Sequence, residues 1–185
     1  MEKKSVCPWW MGYLLLNPLR KLSHKPEEIL EPYLKPGMNA VDFGCAMGYF
    51  SLPMAKMVGK EGKVYCFDIQ KKMLSKLTTR ASDQGLSQMI KPILINEGDT
   101  YHQYSGTIDF ILLFAVAHEV NDQRKLFADL SVMMKPGALM LFAEPSGHVK
   151  QSGFDQSLAF AALAGLEKAE ERNISRSMSI LLRKS

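Results

Sequence analysis

The chain has 185 residues, of which 46% are hydrophobic and 23% charged, a composition that suits a single globular domain with a proper buried core. Its net charge of +4, from basic and acidic residues scattered along the chain, argues against nucleic acid as a substrate. Cys7, Cys45 and Cys66 cannot all pair and show no C-x-x-C spacing, so neither a disulfide framework nor a structural zinc site is supported.

Residues 1–36 read as an N-terminal extension. Its apolar stretch 11–16 is far too short to span a bilayer and runs into Asn17-Pro18-Leu19-Arg20 without a cleavage pattern. Neither a membrane anchor nor a signal peptide is expected, and the cytoplasm is the expected location. Within the extension, residues 26–34 predict a short helix with acids in its first turn. From Met38 onward the pattern predicts strand 39–43, helix 50–58, strand 63–68, helix 71–84 and strand 91–95. It continues with strand 108–114, helix 122–134, strand 138–143 and helix 152–164, then strands near 166–173 and 177–183. Strands alternating with helices indicate a parallel sheet covered by helices on both faces. The continuous apolar run at 108–114 suits a strand buried on both sides. In Met133-Met134-Lys135-Pro136-Gly137, Pro136 is expected to end the helix and Gly137 to supply the turn. The last two strands lack a helix between them and should form a hairpin.

The stretch 41–51, VDFGCAMGYFS, carries the most information. A strand ends near Asp42, Gly44 and Gly48 bracket a sharp bend, and a helix follows from Tyr49. Glycines at such a turn let the backbone approach a ligand closely. A dinucleotide fingerprint would need G-x-G-x-x-G, but from Gly44 the second and third glycine positions hold Ala46 and Tyr49. Asp42 would also repel a pyrophosphate, and no Gly-Lys-Ser/Thr follows for a phosphate loop. The plain alternative is a tight strand-to-helix turn. Asp68 closes the strand 63–68 and lies 20 residues after Gly48, near the spacing of ~20 expected for a ribose-binding acid. Its alternative role is to cap the helix that begins near Lys71.

The acid at the first strand end and the G-x-x-x-G spacing resemble the first motif of the class I S-adenosylmethionine methyltransferases. Asp68, the Asn96-Glu97-Gly98-Asp99 turn, the 108–120 run and the Lys135-Pro136-Gly137 turn follow in that family's order over residues 41–145. The resemblance is to the small-molecule branch, close to the ubiquinone/menaquinone-biosynthesis type and its "type 11" relatives. It implies an α/β, Rossmann-like three-layer sandwich with a seven-stranded, mostly parallel sheet whose last strand is antiparallel. It also implies S-adenosylmethionine as cofactor and S-adenosylhomocysteine as product. On this basis Asp42, Gly44, Cys45, Ala46 and Gly48 are expected at the methionine and ribose portions, Asp68 at the ribose hydroxyls and Ile69 against the adenine face. Gly98 and Asp99 are expected at the adenine amine, with Glu97 as competitor and turn chemistry as the plain alternative. Phe114, at the end of the fourth strand, completes the expected cofactor contacts. Ala46, where the family favours a second glycine, is the one departure in the first motif.

Methyl transfer from a sulfonium is an in-line displacement, so positioning is the main task and no metal is required. For a hydroxyl, phenol or thiol acceptor, a base helps by about 10²–10⁴-fold. His118, just past the fourth strand, is the first candidate, followed by His148 after the fifth and Tyr13 in the extension. His118 could equally pack under the N-terminal segment or bond a backbone carbonyl. No segment large enough for a substrate domain is inserted after any strand. Residues 1–36 are therefore expected to act as a lid on a domain spanning 37–185, with Trp9, Trp10, Met11 and Tyr13 excluding water and meeting the sulfonium by cation–π attraction. The expected partner is a small-molecule acceptor, with no membrane or nucleic acid, in a monomer or homodimer. RNA or protein methylation is the alternative within the fold, although Phe114-Ala115-Val116-Ala117 stands where an exocyclic-amine methylase carries its proline motif. A non-catalytic, cofactor-binding regulator is the alternative from another class.

Overall fold

A computed structural model describes residues 24–96 and 98–185. The chain falls into two compact units, one running to Asp99 and one from Thr100 to Ser185. Its seven described strands have the order β3-β2-β1-β4-β5-β7-β6.

The first unit contains α1 (Pro26–Leu30), β1 (Asn39–Phe43), α2 (Ser51–Val58), β2 (Lys63–Asp68), α3 (Lys71–Asp83) and β3 (Ile90–Leu94). β2 pairs in parallel with β1 on one side and β3 on the other. Parallel strands need crossovers, which α2 and α3 supply. β1 is buried along Ala40, Val41, Asp42 and Phe43, as expected for a strand covered on both faces. α3 turns one stripe inward, Met73, Leu74, Leu77 and Ala81, at helical spacing. β3 carries Pro92, which cannot donate to a ladder and is tolerated because β3 is the outermost strand.

The second unit contains β4 (Ile108–Phe114), α4 (Gln123–Met133), β5 (Met134–Pro145), α5 (Gln151–Leu163), β6 (Leu166–Ile174) and β7 (Ser177–Lys184). β4 and β5 are parallel, and β7 runs antiparallel to both β5 and β6, which is the expected terminal hairpin. α4 starts at Asp122, whose side chain accepts from the Lys125 N–H at 2.8 Å and satisfies one orphan donor of the first turn. Phe142 of β5 stacks on Phe154 of α5 at 5.0 Å and meets Phe127 of α4 edge-on at 5.4 Å, joining both helices to the sheet. β6 is almost wholly exposed along its length, and its Lys168–Glu171 and Arg172–Glu170 pairs keep that outer strand charged against further pairing.

Two boundaries differ from expectation by about a turn: the helix expected over 26–34 ends at Leu30, and the fifth strand starts early. β5 begins at Met134, not at 138, and α4 ends at Met133, before Pro136 could end it. Met134 pairs with Ile108 and Leu139 with Phe110, so the register slips over Lys135-Pro136-Gly137-Ala138. Gly137, at φ +77°, supplies the kink inside a bulge rather than the turn after a helix. Pro136 sits where the ladder is already broken and its missing N–H costs nothing.

Candidate functional site

The loop after β1 is a string of left-handed residues: Gly44 at φ +78°, Ala46 at +46° and Gly48 at +82°. Its start is fixed by β2, since the N–H groups of Gly44 and Cys45 both donate to the Phe67 carbonyl at 2.8 and 3.0 Å. Its middle is fixed by Asp68. One carboxylate oxygen of Asp68 accepts from the Ala46 N–H at 2.9 Å and the other from the Gln70 N–H at 2.8 Å. Burial raises the Asp68 carboxyl above its usual range, while the N–H groups of Gln70, Ala46 and Ile69 pull it back down. Besides the two roles expected of it, the acid ties two adjacent loops together.

Ile69 follows with 48% of its surface exposed, and Leu94, paired with Asp68, has 47%. Two large apolar side chains held open beside a carboxylate form a surface suited to a flat, apolar ring with hydroxyls at its edge. Asp99 lies past β3 and accepts from the Asn96 N–H at 2.8 Å, returning its own N–H to the Asn96 carbonyl, so the expected turn chemistry is present. Gly98, at φ +94°, has open space where a Cβ would stand.

Several of the expected loop residues have internal roles. Asp42 is 4% exposed and accepts from the Ser51 hydroxyl at 2.5 Å, holding the start of α2. Cys45 is buried and its thiol donates to the Ala46 carbonyl at 3.7 Å; burial first, then the neighbouring Cys66 thiol, push it up. The two cysteines, remote in sequence, are side by side and free. A Cβ on Gly48 would meet the Leu77 Cδ1 at 2.4 Å, so this glycine is explained by close packing on α3. Its expected role of keeping backbone near a ligand is not needed to account for it.

A second cluster lies in the second unit. β4 ends at Phe114, which is half-buried, and Ala115 then turns left-handed at φ +59° while donating to the Ala143 carbonyl at 2.7 Å. That turn delivers the short 3₁₀ segment Ala117–Glu119. His118 within it places Nδ1 at 2.5 Å from one carboxylate oxygen of Glu144, and its backbone N–H donates to the other at 3.2 Å. Glu144 is 1% exposed, near the end of β5. The His148 ring lies 5.0 Å from that of His118, at 70°. These groups, with Gln123, Gln156 and Ser157, line a cleft of about 310 Å³. Gln123 is locked in place, donating to the Ala117 carbonyl at 2.8 Å and accepting from the Ser157 hydroxyl at 2.8 Å.

The structure therefore brings the two candidates His118 and His148 together and adds Glu144. Its only sequence signal was an acid ending the apolar run Met140-Leu141-Phe142-Ala143. Tyr13, Cys7 and the Trp9, Trp10 and Met11 cluster lie outside the described residues. No described helix is long and apolar enough to cross a membrane.

A family model described as "Methyltransferase domain" matches residues 34–177. The chain belongs to that methyltransferase family. It is similar to the ubiquinone/menaquinone biosynthesis C-methyltransferase UbiE of Marinomonas sp., with 24% identity over 71% of this chain and 53% of that protein. It is also similar to the demethylmenaquinone methyltransferase of Bacillus mycoides, with 26% identity over 61% of this chain and 47% of that one. The chain thus spans about half the length of these curated relatives. A solved SAM-dependent methyltransferase from Aquifex aeolicus shares the fold, with a TM-score of 0.85 and 22% identity over 97% of this chain and all of that one.

Proposed function

We propose that this protein is an S-adenosylmethionine-dependent methyltransferase that methylates a small-molecule acceptor. The observation carrying the reading is Asp68: a buried carboxylate at the C-terminal end of β2, aimed by two loop amides and flanked by exposed Ile69. That donor set fits adenosine, with acceptor oxygens for ribose hydroxyls and an apolar face for adenine. Gly44, Ala46 and Asp68 would hold the methionine and ribose portions, and Gly98 and Asp99 the adenine amine. Bound there, the cofactor supplies an activated methyl group on a sulfonium. The chain's own residues do the rest: the loop orients, and His118 takes a proton from the acceptor, with His148 beside it. In this reading the protein is cytoplasmic and a monomer or homodimer.

Calorimetry with S-adenosylhomocysteine tests the assignment. Each charge-assisted bond to a ribose hydroxyl contributes about 1.5–3 kcal/mol, so Asp68→Ala should weaken binding by about tenfold or more. Unchanged affinity in the variant would remove Asp68 from the site, and no binding by the parent chain would remove the whole reading.

We also propose that residues 1–36 form a lid. Support comes from where the extension joins the fold: the Tyr49 hydroxyl, next to Gly48, donates to the His24 carbonyl at 2.5 Å. Deleting residues 1–20 should lower turnover much more than cofactor affinity. Equal losses in both would contradict the lid.

A further inference from the structure

His118 and Glu144 are joined by two hydrogen bonds, and both serve one end. The backbone N–H bond at 3.2 Å fixes where His118 starts, and the Nδ1 contact at 2.5 Å fixes how its ring turns. A carboxylate can only accept, so an ionised Glu144 requires the proton to sit on Nδ1. Nε2 is then the nitrogen that takes a proton. Such an arrangement of acid, imidazole and reacting group orients a base and stabilises the imidazolium once formed.

The cleft narrows what reacts there. Its volume of about 310 Å³ is at the small end for ligand pockets, enough for one ring. Among the described lining residues, Gln123, Gln156 and Ser157 offer amide and hydroxyl partners beside the aliphatic Val149. A phenol, with an ordinary pKa of about 10, is within reach of an imidazole of ordinary pKa about 6.5. An aliphatic alcohol, closer to water at about 15.7, yields its proton to the same base far less readily.

We propose that Glu144 is the positioning residue that holds His118 as an Nε2 base for a small, polar acceptor with a phenolic or enolic hydroxyl. The inference rests on the methyltransferase reading above. In the step, the acceptor O–H proton passes to Nε2 as an oxygen lone pair forms the O–CH₃ bond, and the S–CH₃ electron pair leaves on sulfur. The positive charge lost at sulfur reappears on the imidazolium, facing Glu144. Of the titratable groups that line the cleft, Glu144 from β5 and His148 from the turn after it face His118, while α4 and α5 contribute the neutral Gln123, Gln156 and Ser157.

The test combines ¹⁵N NMR of the histidine rings with kinetics on the full chain. In the parent protein, His118, identified by the resonance lost in His118→Gln, should carry its proton on Nδ1 above its titration. In Glu144→Gln the tautomer should shift towards Nε2–H, kcat should fall by about a hundredfold, within the usual range for a base, and the acid limb of the pH–rate profile should move to lower pH. Binding of S-adenosylhomocysteine should not change. Glu144→Asp should recover part of the rate. Against hydroxybenzenes, aniline and benzenethiol, transfer should favour the hydroxybenzenes. An Nε2–H tautomer in the parent chain overturns the proposal without any variant, and so does equal transfer to amine and thiol. Loss of cofactor binding by the parent would instead overturn the methyltransferase reading and leave the tautomer result to stand on its own.

Discussion

Replacing His118 with alanine should slow turnover by about 10²–10⁴-fold, the range a general base contributes, while leaving the dissociation constant for S-adenosylhomocysteine within about twofold. Two observations set this expectation. The imidazole is anchored through both its ring and its backbone on a carboxylate that is 1% exposed, an orientation that surface packing alone would not require. The groups proposed to hold the cofactor, Asp68, Ala46 and Gly44, belong to the other unit and keep their bonds in the variant. Removing the ring also strands Glu144, a buried acid that loses its side-chain partner. Some loss of stability is therefore expected, because an uncompensated buried charge is costly. Single-turnover rates measured well below the melting temperature separate the two effects. A rate within threefold of the parent would mean that acceptor deprotonation is not assisted by this residue, and His148 would become the candidate.

The second large effect is on folding. Gly48→Val should destabilise the protein by roughly 2–6 kcal/mol. Backbone strain at φ +82° costs about 1–3 kcal/mol for a residue that has a Cβ. Overpacking adds about 1–3 kcal/mol, since the new Cβ would lie 2.4 Å from Leu77 in the buried face of α3. Against a total of about 5–15 kcal/mol for a typical domain, this is a large fraction. Urea denaturation gives the number, and a pairing with Leu77→Ala separates the causes. Room made at Leu77 should return the packing part and leave the strain. A full recovery would show that backbone strain at this position is negligible. The same reasoning applies to Gly44→Val, which at φ +78° would strain the loop as well as obstruct a ligand.

Most of the architecture was legible because the signals are local. Apolar runs such as 108–114 and the helical stripe of α3 depend on burial alone, and the chain alternates them cleanly. The hairpin was legible from the missing helix between its strands. What the sequence concealed depends on pairs far apart. Glu144 partners His118 across 26 positions, a link no spacing rule supplies. Cys45 and Cys66 read as unrelated residues until β1 and β2 pair. The bulge at Lys135–Ala138 escaped because a Lys-Pro-Gly turn reads as a helix stop, whereas the register against β4 had already ended the helix. Gly48 was singled out for close approach to a ligand, and the structure adds a packing reason, its closeness to Leu77, that the sequence does not show. The bond from Ser51 to Asp42, the residue expected near a ligand, is likewise a link that the sequence does not show.

Ala46 shows what an exception to a motif can do. A glycine there would explore many shapes and lose that freedom on binding, whereas an alanine has fewer to lose. The left-handed conformation of alanine is unfavourable by about 1–2 kcal/mol, and the bond from its N–H to Asp68 offsets that cost. The loop is thus a latch set in advance: its backbone is already bent, so a ligand arriving there need not spend binding energy on ordering it. The latch and the ligand also compete for one carboxylate. Asp68 cannot be altered without letting the loop relax, and whatever binds beside it inherits a shape decided by two residues it need not touch.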